Sequence, residues 1–200
     1  AHHRLHSCRR DTSESAIDTP RNARVFQQNQ PNARLAARLA RRHTRDQRVR
    51  IEPVALSSKN GKETLHLPKY RSWIFDGLAS LDAAEAMNWL NSDRLWRFDS
   101  KKLTHVVMDI EVKTLDAYDL APAIIKLDTQ GTEEDVLRGG LNTIATHRPI
   151  ILLESSTQGI IELLAGYGYR PYTFYSGKLH CNVTSGKNVF FLTADHYCGE

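Results

Sequence analysis

The residues best suited to chemistry lie between positions 124 and 139, where a short apolar run ends in an acidic turn that contains a glycine. This pattern predicts a strand that leads directly into a helix, with Asp128 at the carboxyl end of the strand. Ligands of open parallel sheets bind beyond such strand ends, so we expect the Asp128 carboxylate to face a crevice. Thr132 and Asp135 predict the helix start, because a hydroxyl can accept a hydrogen bond from an unpaired amide and an acid favours the positive helix end.

A second acid, Glu154, ends the apolar run at 150–153. If the two strands are neighbours, Glu154 points at the same crevice as Asp128, and one of these carboxylates could take the proton of a reacting hydroxyl. Gln130 and Glu133 lie beside the turn as candidate substrate contacts. Glu133 also has a structural reason to be there, since an acid stabilises the positive end of a helix.

Strands and helices alternate along much of the chain, which predicts an α/β fold with a parallel sheet and flanking helices. The expected strands are 24–27, 49–55, 124–128 and 150–154, and the expected helices are 32–42, 133–139, 141–147 and 159–165. Gly139 and Gly140 are expected to break the middle helix. The segments 170–175 and 188–192 predict a closing antiparallel pair.

The stretch 59–105 is less regular and is the expected lid over the site. It contains a turn signal at Asn60-Gly61, an extended segment at 63–67 and a helical pattern at 81–90 that could cover the sheet edge. The next segment, 106–112, predicts a strand at an edge of the sheet.

Length and composition favour one domain, because 200 residues with 40% hydrophobic content can bury a sizeable core. We expect an irregular segment at 1–22 and a single domain at 23–200. No apolar run approaches the length of a membrane span and no signal core is present, so the sequence predicts a soluble, cytoplasmic protein, while an upstream targeting segment stays open. The three cysteines show no paired spacing and predict free thiols.

Positive charge is concentrated near the N-terminus, where the first fifty residues hold twelve arginines and four acids. Arg34, Arg38, Arg41 and Arg45 would form one stripe of a helix. We interpret this stripe as the solvated face of an amphipathic helix rather than as a nucleic-acid contact. The histidines at 2, 3 and 6 are interpreted as a frayed terminus, and no metal site is predicted.

The stretch "IIKLDTQGTEEDVLRGGLNTIATHRPIILLE" resembles the second half of the FkbM family of S-adenosylmethionine-dependent methyltransferases. Further similar pieces occur in the same order, so that the resemblance covers about residues 23–193: "VRIEPVALSSKNGKETL", "DGLASL", "LLAGYGYRPYTF" and "GKNVFFL". The resemblance implies a Rossmann-like methyltransferase sheet and S-adenosyl-L-methionine as the cofactor. It also implies O-methylation of a hydroxyl on a sugar, glycolipid or polyketide-like acceptor.

Residue roles follow from the same resemblance. Asp128 would lie beside the cofactor and the acceptor, with Glu154 assisting, and Gln130 stands where the family usually carries Glu. The positions on the adenine side of the cofactor correspond to three consecutive residues, Ala55, Leu56 and Ser57. Either Gln28 or Gln30 occupies the position of the acid that holds the ribose in the family.

Two departures keep a second hypothesis open. The glycine-rich turn that normally follows the first strand of the family is not found before Val25, so the sequence predicts that this strand is missing. A neutral amide also replaces the ribose-binding acid. Loss of a charge-assisted hydrogen bond costs roughly 1 kcal/mol or more. The alternative function is therefore a truncated or degenerate, non-catalytic binding module, and a weaker third hypothesis is RNA binding through the arginine stripe. The sequence makes no prediction of the oligomeric state.

Overall fold

The computed structural model of this chain describes residues 23–26, 49–52, 54–129, 131–181 and 188–196. The strands are β1 (Ala23–Phe26), β2 (Val49–Glu52), β3 (Ala55–Leu56), β4 (Gly61–Tyr70), β5 (Trp73–Ile74), β6 (Leu103–Lys113), β7 (Ile124–Leu127), β8 (Ile150–Leu153), β9 (Arg170–Tyr175), β10 (Lys178–Cys181) and β11 (Val189–Leu192). The helices are α1 (Ala83–Asn88), α2 (Glu133–Arg138), α3 (Leu141–His147) and α4 (Gln158–Ala165). Short 3-10 turns occur at Asp76–Leu78, Ser100–Lys102, Asp116–Tyr118 and Ala194–His196.

Strands β7 to β11 form a five-stranded sheet in the order β10-β9-β11-β8-β7. β7 and β8 are parallel, whereas β11 runs antiparallel to both β8 and β9. Alternate residues of β7 and β8 are buried, which places one side of each strand in the core. We call this sheet with α2, α3 and α4 the body.

The helices of the body pack on one face of its sheet. The buried apolar side chains of the helices are Val136 and Leu137 of α2, Ile144 of α3, and Ile160 and Leu164 of α4. The largest cluster of buried side chains joins them to the strands: Leu56, Leu115, Ile125, Leu127, Val136, Leu137, Ile144, Ile151, Leu153, Ile160, Leu164, Tyr169, Val189 and Phe191.

A second, four-stranded sheet has the order β3-β6-β4-β5. β4 and β6 pair antiparallel over their length, from Gly61 opposite Val112 to Tyr70 opposite Leu103. α1 packs against both strands. The buried cluster here is smaller and consists of Ala55, Leu65, Leu67, Ala79, Ile110 and Val112. We call residues 54–113, which contain this sheet and α1, the ribbon. β1 and β2 form a separate parallel pair.

Several predictions from the sequence are confirmed. β7 and β8 are neighbouring parallel strands, the helix after β7 stops at Arg138 and resumes at Leu141, and the closing strands β9 and β11 are antiparallel. The break at Gly139 has a packing reason, because a Cβ atom there would overlap the carbonyl oxygen of Ser57.

Other predictions need correction. The strand at 106–112 is not an edge strand, since β6 lies between β3 and β4 and is longer than expected. The segment 49–55 does not form one strand, because β2 pairs with β1 and β3 pairs with β6. The sequence also missed β10, which extends the closing antiparallel pair by one strand. The segment 1–22 and the helix at 32–42 lie outside the described residues. Among the described helices, none combines the length and the apolar composition needed to cross a bilayer.

Candidate functional site

The two acids singled out in the sequence follow neighbouring strands. Leu127 lies opposite Leu153 in the parallel register of β7 and β8, so Asp128 and Glu154 occupy the next positions along the two chains. Neighbouring strands are roughly 5 Å apart. Asp128 is exposed with one carboxylate oxygen 3.5 Å from the ammonium group of Lys126, and Glu154 is half-buried. The structure thus brings both acids to the same edge of the sheet.

The turn after Asp128 is held by its own helix. The Glu133 carboxylate accepts hydrogen bonds from the backbone amides of Thr129 at 3.0 Å and Gly131 at 3.1 Å. Gly131 has a φ of +95°, a conformation that favours glycine because it has no Cβ atom. Both contacts shape the turn, and they give the Glu133 side chain a structural role.

The expected role of Thr132 is corrected by the structure. Its hydroxyl makes no hydrogen bond to an amide of α2 and donates instead to the carbonyl oxygen of Thr129 at 3.3 Å. α2 begins with Glu133, Glu134 and Asp135, and these acids favour the positive end of the helix. Arg138 in the last turn pairs with Glu134 at 2.7 Å.

The three residues predicted to bind the nucleoside, Ala55 and Leu56 of β3 and the following Ser57, are all buried. Ala55 is opposite Val112 of β6, and the amide of Ser57 donates to the carbonyl oxygen of Lys113 at 3.0 Å. Gly139 fits against the backbone of Ser57 because it has no side chain. The end of β3 is therefore fixed between β6 and the helices that follow β7.

An open cavity of about 490 Å³ lies where the end of β3 meets the turn after β7. Ser57 forms one wall, and Gly131, Thr132 and Asp135 form another. The remaining lining comes from the ribbon: Ser58, Lys59, Glu63, Leu81, Asp82 and Ala83. The cavity thus joins two segments that are more than seventy residues apart in the sequence.

The N-terminus of α1 closes one side of this cavity. The Asp82 carboxylate accepts hydrogen bonds from the amides of Ala84 at 2.7 Å and Glu85 at 3.3 Å, so it caps the helix. Farther along α1, the side chain of Glu85 lies over Gly131, where an added Cβ would come within 3.0 Å of its Cγ atom. The irregular segment predicted to be a lid therefore contributes a wall of the cavity.

The cavity lining carries a net negative charge. Glu63, Asp82 and Asp135 contribute three carboxylates, and Lys59 is the cation among the lining residues. The Lys59 ammonium group is 3.1 Å from the Glu63 carboxylate and offsets that charge. A site of this sign attracts cationic ligands.

The sequence anticipated only part of this lining. Ser57 was predicted and lies in the wall. Asp128 and Glu154 directly follow β7 and β8 and are not among the described lining residues. Gln28, Gln30 and Gln130 lie outside the described residues. The acids Glu63 and Asp82 were missed, although an aspartate at the start of the helical pattern at 81–90 is an N-cap signal. Within the described ranges, no three His, Cys, Asp or Glu side chains are grouped as metal ligands would be.

Comparison with known proteins gives one structural and one family match. A solved structure of the methyltransferase FkbM from Methylobacillus flagellatus KT is similar with a TM-score of 0.49 and 14% sequence identity. The match covers 86% of this chain and 36% of that protein, so the chain spans about a third of its length. No curated protein matches the chain.

The family match is extensive. The family model described as "Methyltransferase FkbM domain" covers residues 20–171, which include the strand ends, the turn after β7 and every described residue that lines the cavity. Because this match spans well over half of the sequence, the chain belongs to the FkbM methyltransferase domain family.

Proposed function

We propose that this protein is an S-adenosylmethionine-dependent O-methyltransferase that acts on a hydroxyl of a sugar, glycolipid or polyketide-like acceptor. The observation that carries the proposal is the cavity between Ser57 and the Gly131–Thr132 turn, which lies within the FkbM domain. The acceptor class rests on the resemblance to the family and is the part that most needs testing.

The cavity suits the methyl donor in size and in charge. Its volume of about 490 Å³ falls in the usual range of small-molecule sites. When bound, S-adenosylmethionine supplies an electrophilic methyl group on a positively charged sulfonium. The carboxylates of Asp82 and Asp135 would favour that positive charge, and they could also accept hydrogen bonds from an ammonium group or from ribose hydroxyls.

The end of β3 is the proposed nucleoside wall. Ala55 and Leu56 are buried and give this wall rigidity, while the Ser57 hydroxyl is the polar group that such a wall can offer to a base or a ribose. Either Gln28 or Gln30, in the segment after β1, remains the proposed contact to the ribose of the methyl donor.

The strand-end acids are the proposed acceptor side. Asp128 would orient the acceptor hydroxyl or take its proton, and Glu154 on the neighbouring strand would assist. Gln130 is proposed to contact the acceptor directly. Glu133 would act on the acceptor only by fixing the turn, because its carboxylate already binds two backbone amides. Displacement at a methyl group depends mainly on alignment, so rigid walls are the main contribution of the protein.

We further infer that the domain is Rossmann-like and that the first strand expected from the family would pair with β7. Two observations support this inference. Among the described residues, β7 lies at the edge of the five-stranded sheet. β1 and β2 are parallel to each other, as neighbouring strands of a Rossmann-like sheet are. A parallel strand beside β7 would also cover Ile124, which is 63% exposed.

Calorimetric titration with S-adenosylmethionine tests donor binding. We expect saturable heat for the protein and at least a roughly tenfold loss of affinity for Ala83→Phe, which puts an aromatic ring into the cavity. Ala84→Phe is the matched control, because Ala84 is the next residue of α1, is exposed and does not line the cavity. Absence of heat in the unaltered protein would favour the non-catalytic binding module.

A methyl-transfer assay over a panel of sugar, glycolipid and polyketide-like hydroxyl acceptors tests the catalytic residues. Asp128→Asn should lower kcat by roughly 10²- to 10⁴-fold if the carboxylate takes the proton. Asp109→Asn is the control, since Asp109 is an exposed aspartate that bonds Thr64 on the ribbon. Unchanged turnover of the Asp128 variant would remove this residue from the mechanism.

A further inference from the structure

All three tryptophans of the chain lie in the ribbon and are exposed. Trp73 is 73% exposed, Trp89 is 40% exposed and Trp96 is 87% exposed. Tryptophan side chains are largely buried on average, so three exposed indoles within twenty-four residues need an explanation. The donor site proposed above does not supply one, because none of them lines the cavity.

Two of these tryptophans, Trp73 and Trp96, are each linked to Tyr70 at one end of the ribbon. Trp73 lies directly opposite Tyr70 across the β4–β5 turn, so the two side chains share a face of the sheet. Phe98 stacks on Tyr70 with ring centroids 5.4 Å apart. The Tyr70 hydroxyl accepts a hydrogen bond from the amide of Asp99 at 3.0 Å and lies 3.4 Å from the carbonyl oxygen of Arg97.

These contacts place the segment that contains Trp96 against Tyr70, which is the cross-strand partner of Trp73. We call this group of residues the tip cluster; it consists of the exposed Arg71, Trp73, Trp96 and Arg97 and of the aromatic rings of Tyr70 and Phe98 that support them. Cations accompany its aromatic rings, with the Arg71 guanidinium 5.3 Å from the centre of the Tyr70 ring and the Arg97 guanidinium 4.8 Å from that of Trp96. Arg94 sits over Trp89 in the same way at 3.6 Å.

The surroundings of the tip cluster are cationic in a part of the chain that is otherwise acidic. Segments 69–75 and 93–102 together contain six lysines and arginines and two aspartates, whereas residues 51–200 as a whole carry a net charge of −4. One of the two aspartates, Asp99, is paired with Lys102 at 3.3 Å. The positive charge at the tip is therefore segregated from the negative cavity.

The tip cluster is also far from the cavity. Glu63 lines the cavity and Tyr70 is seven residues farther along β4, which is roughly 24 Å at the usual rise of a strand. A small acceptor bound beside the donor could not reach it. The surface therefore serves something other than the methyl-transfer site.

We propose that the tip cluster docks the protein on a bilayer that contains anionic phospholipid. Indole rings favour the boundary between headgroups and acyl chains, and adjacent arginines and lysines are attracted to anionic headgroups. Shallow insertion of exposed aromatic side chains together with such attraction is the general mode of interfacial binding. A single-stranded nucleic acid would instead need a groove that follows its backbone, and the tip is a turn and a loop end.

Binding to vesicles tests the proposal, and the placement of all three tryptophans in the ribbon makes intrinsic fluorescence a selective reporter. Vesicles of phosphatidylcholine with phosphatidylserine should shift the emission to the blue and should sediment the protein. The affinity for vesicles of phosphatidylcholine alone should be at least roughly tenfold lower. Raising the salt concentration should weaken binding to the anionic vesicles.

Variants separate the tip cluster from other surfaces. The double variant Trp73→Ala/Trp96→Ala should bind anionic vesicles at least roughly tenfold less tightly. The matched control is Phe174→Ala/Tyr175→Ala, which removes two aromatic side chains of the body that are 60% and 71% exposed. Arg71→Gln/Arg97→Gln should reduce the dependence on phosphatidylserine, and circular dichroism of each variant checks that it is folded.

Three results would overturn the proposal. The first is sedimentation with neither type of vesicle, and the second is equal loss of binding in the tip variant and in the Phe174/Tyr175 control. The third is association through the tip cluster with RNA or with a second copy of the chain while vesicles are not bound, measured by titration with an oligonucleotide and by sedimentation velocity.

Discussion

The body and the ribbon bury apolar surface in different ways. The buried cluster at the body has fourteen side chains, which come from its sheet, its three helices and the adjoining Leu56 and Leu115, whereas the separate buried cluster of the ribbon has six. The ribbon has a smaller buried cluster, but β4 and β6 pair over a long stretch. A paired ribbon with a small core can extend away from the body and present exposed groups at its far end, and its near end supplies walls of the cavity.

This difference assigns different tasks to the two regions. The body holds the strand ends with Asp128 and Glu154 and the turn after β7, and these need a rigid support. The ribbon contributes Lys59, Glu63 and Asp82 to the cavity and the tryptophans at its tip. The cavity therefore forms at the junction of the two regions, and changes in either one should affect it by different mechanisms.

Truncation of core residues should show the difference in core size most strongly. We expect Phe191→Ala in the body, where the side chain is 0% exposed, to lower the free energy of unfolding by about 4 kcal/mol. Leu65→Ala in the ribbon is expected to cost about 2 kcal/mol, because a small core near solvent can collapse around the gap. Urea unfolding measures both values, with the exposed Phe174→Ala as the control. A larger loss for Leu65→Ala than for Phe191→Ala would contradict the comparison.

The junction itself can be tested at Gly139. A methyl group added there would overlap the carbonyl oxygen of Ser57, so Gly139→Ala should cost about 1–3 kcal/mol and should push the end of β3 away from the helices of the body. The variant should also weaken binding of S-adenosylmethionine, because Ser57 lines the cavity.

Gly77→Ala is the matched control for this change, since nothing lies within 4 Å of the added atom and Gly77 is in the ribbon. The unfolding free energy and the calorimetric affinity are measured on both variants. If Gly139→Ala binds the donor as the unaltered protein does, the contact between Gly139 and Ser57 does not support the site.

The smallest change in the free energy of unfolding is expected from substitution of Tyr169, a buried residue directly before β9. Its hydroxyl donates to the carbonyl oxygen of Pro149 at 2.8 Å, and burial raises the pKa of Tyr169 to about 12 while nearby Arg148 lowers it. Tyr169→Phe removes this hydrogen bond and should cost about 1 kcal/mol at neutral pH.

The raised pKa also predicts the direction of a pH effect. The folded protein holds the phenol proton more tightly than the unfolded chain, so the contribution of Tyr169 is fully present below pH 10 and is lost as the pH rises to about 12. Thermal unfolding between these pH values should therefore show a smaller alkaline loss of stability in Tyr169→Phe. The same alkaline loss in both proteins would show that this tyrosine is not responsible.

The sequence predicted the body better than the ribbon for a physical reason. Strands such as 150–153 and helices such as 158–165 carry their burial pattern locally, so the strand and helix periods are visible in the sequence. The length of β4 and the position of β6 depend on their pairing with each other, and pairing between distant segments leaves little trace in local composition. Hence the two long strands of the ribbon, β4 and β6, were expected only as a short extended piece and an edge strand.

The same limit applies to side-chain contacts across long sequence distances. The carboxylate of Asp116 accepts hydrogen bonds from the amides of Asn142 and Thr143 and from the Thr143 hydroxyl, so it caps α3 from a different part of the chain. Glu133 rather than Thr132 secures the turn after β7. Ser57 was identified from the family resemblance, whereas Glu63 and Asp82 reach the cavity only because β4 and α1 pack beside it.

Ultraviolet cross-linking of radiolabelled S-adenosylmethionine, followed by mapping of tryptic peptides, tests most directly that the donor binds where the ribbon meets the body. Cleavage after arginine and lysine yields the peptide 51–59, which contains Ser57, and the peptide 127–138, which contains Asp128 and the turn. We predict that the label is found in one or both of these peptides and that it is lost in Ala83→Phe but kept in Ala84→Phe. Label confined to peptides that contain no residue of the cavity lining, or equal labelling of the two alanine variants, would contradict this placement of the donor site.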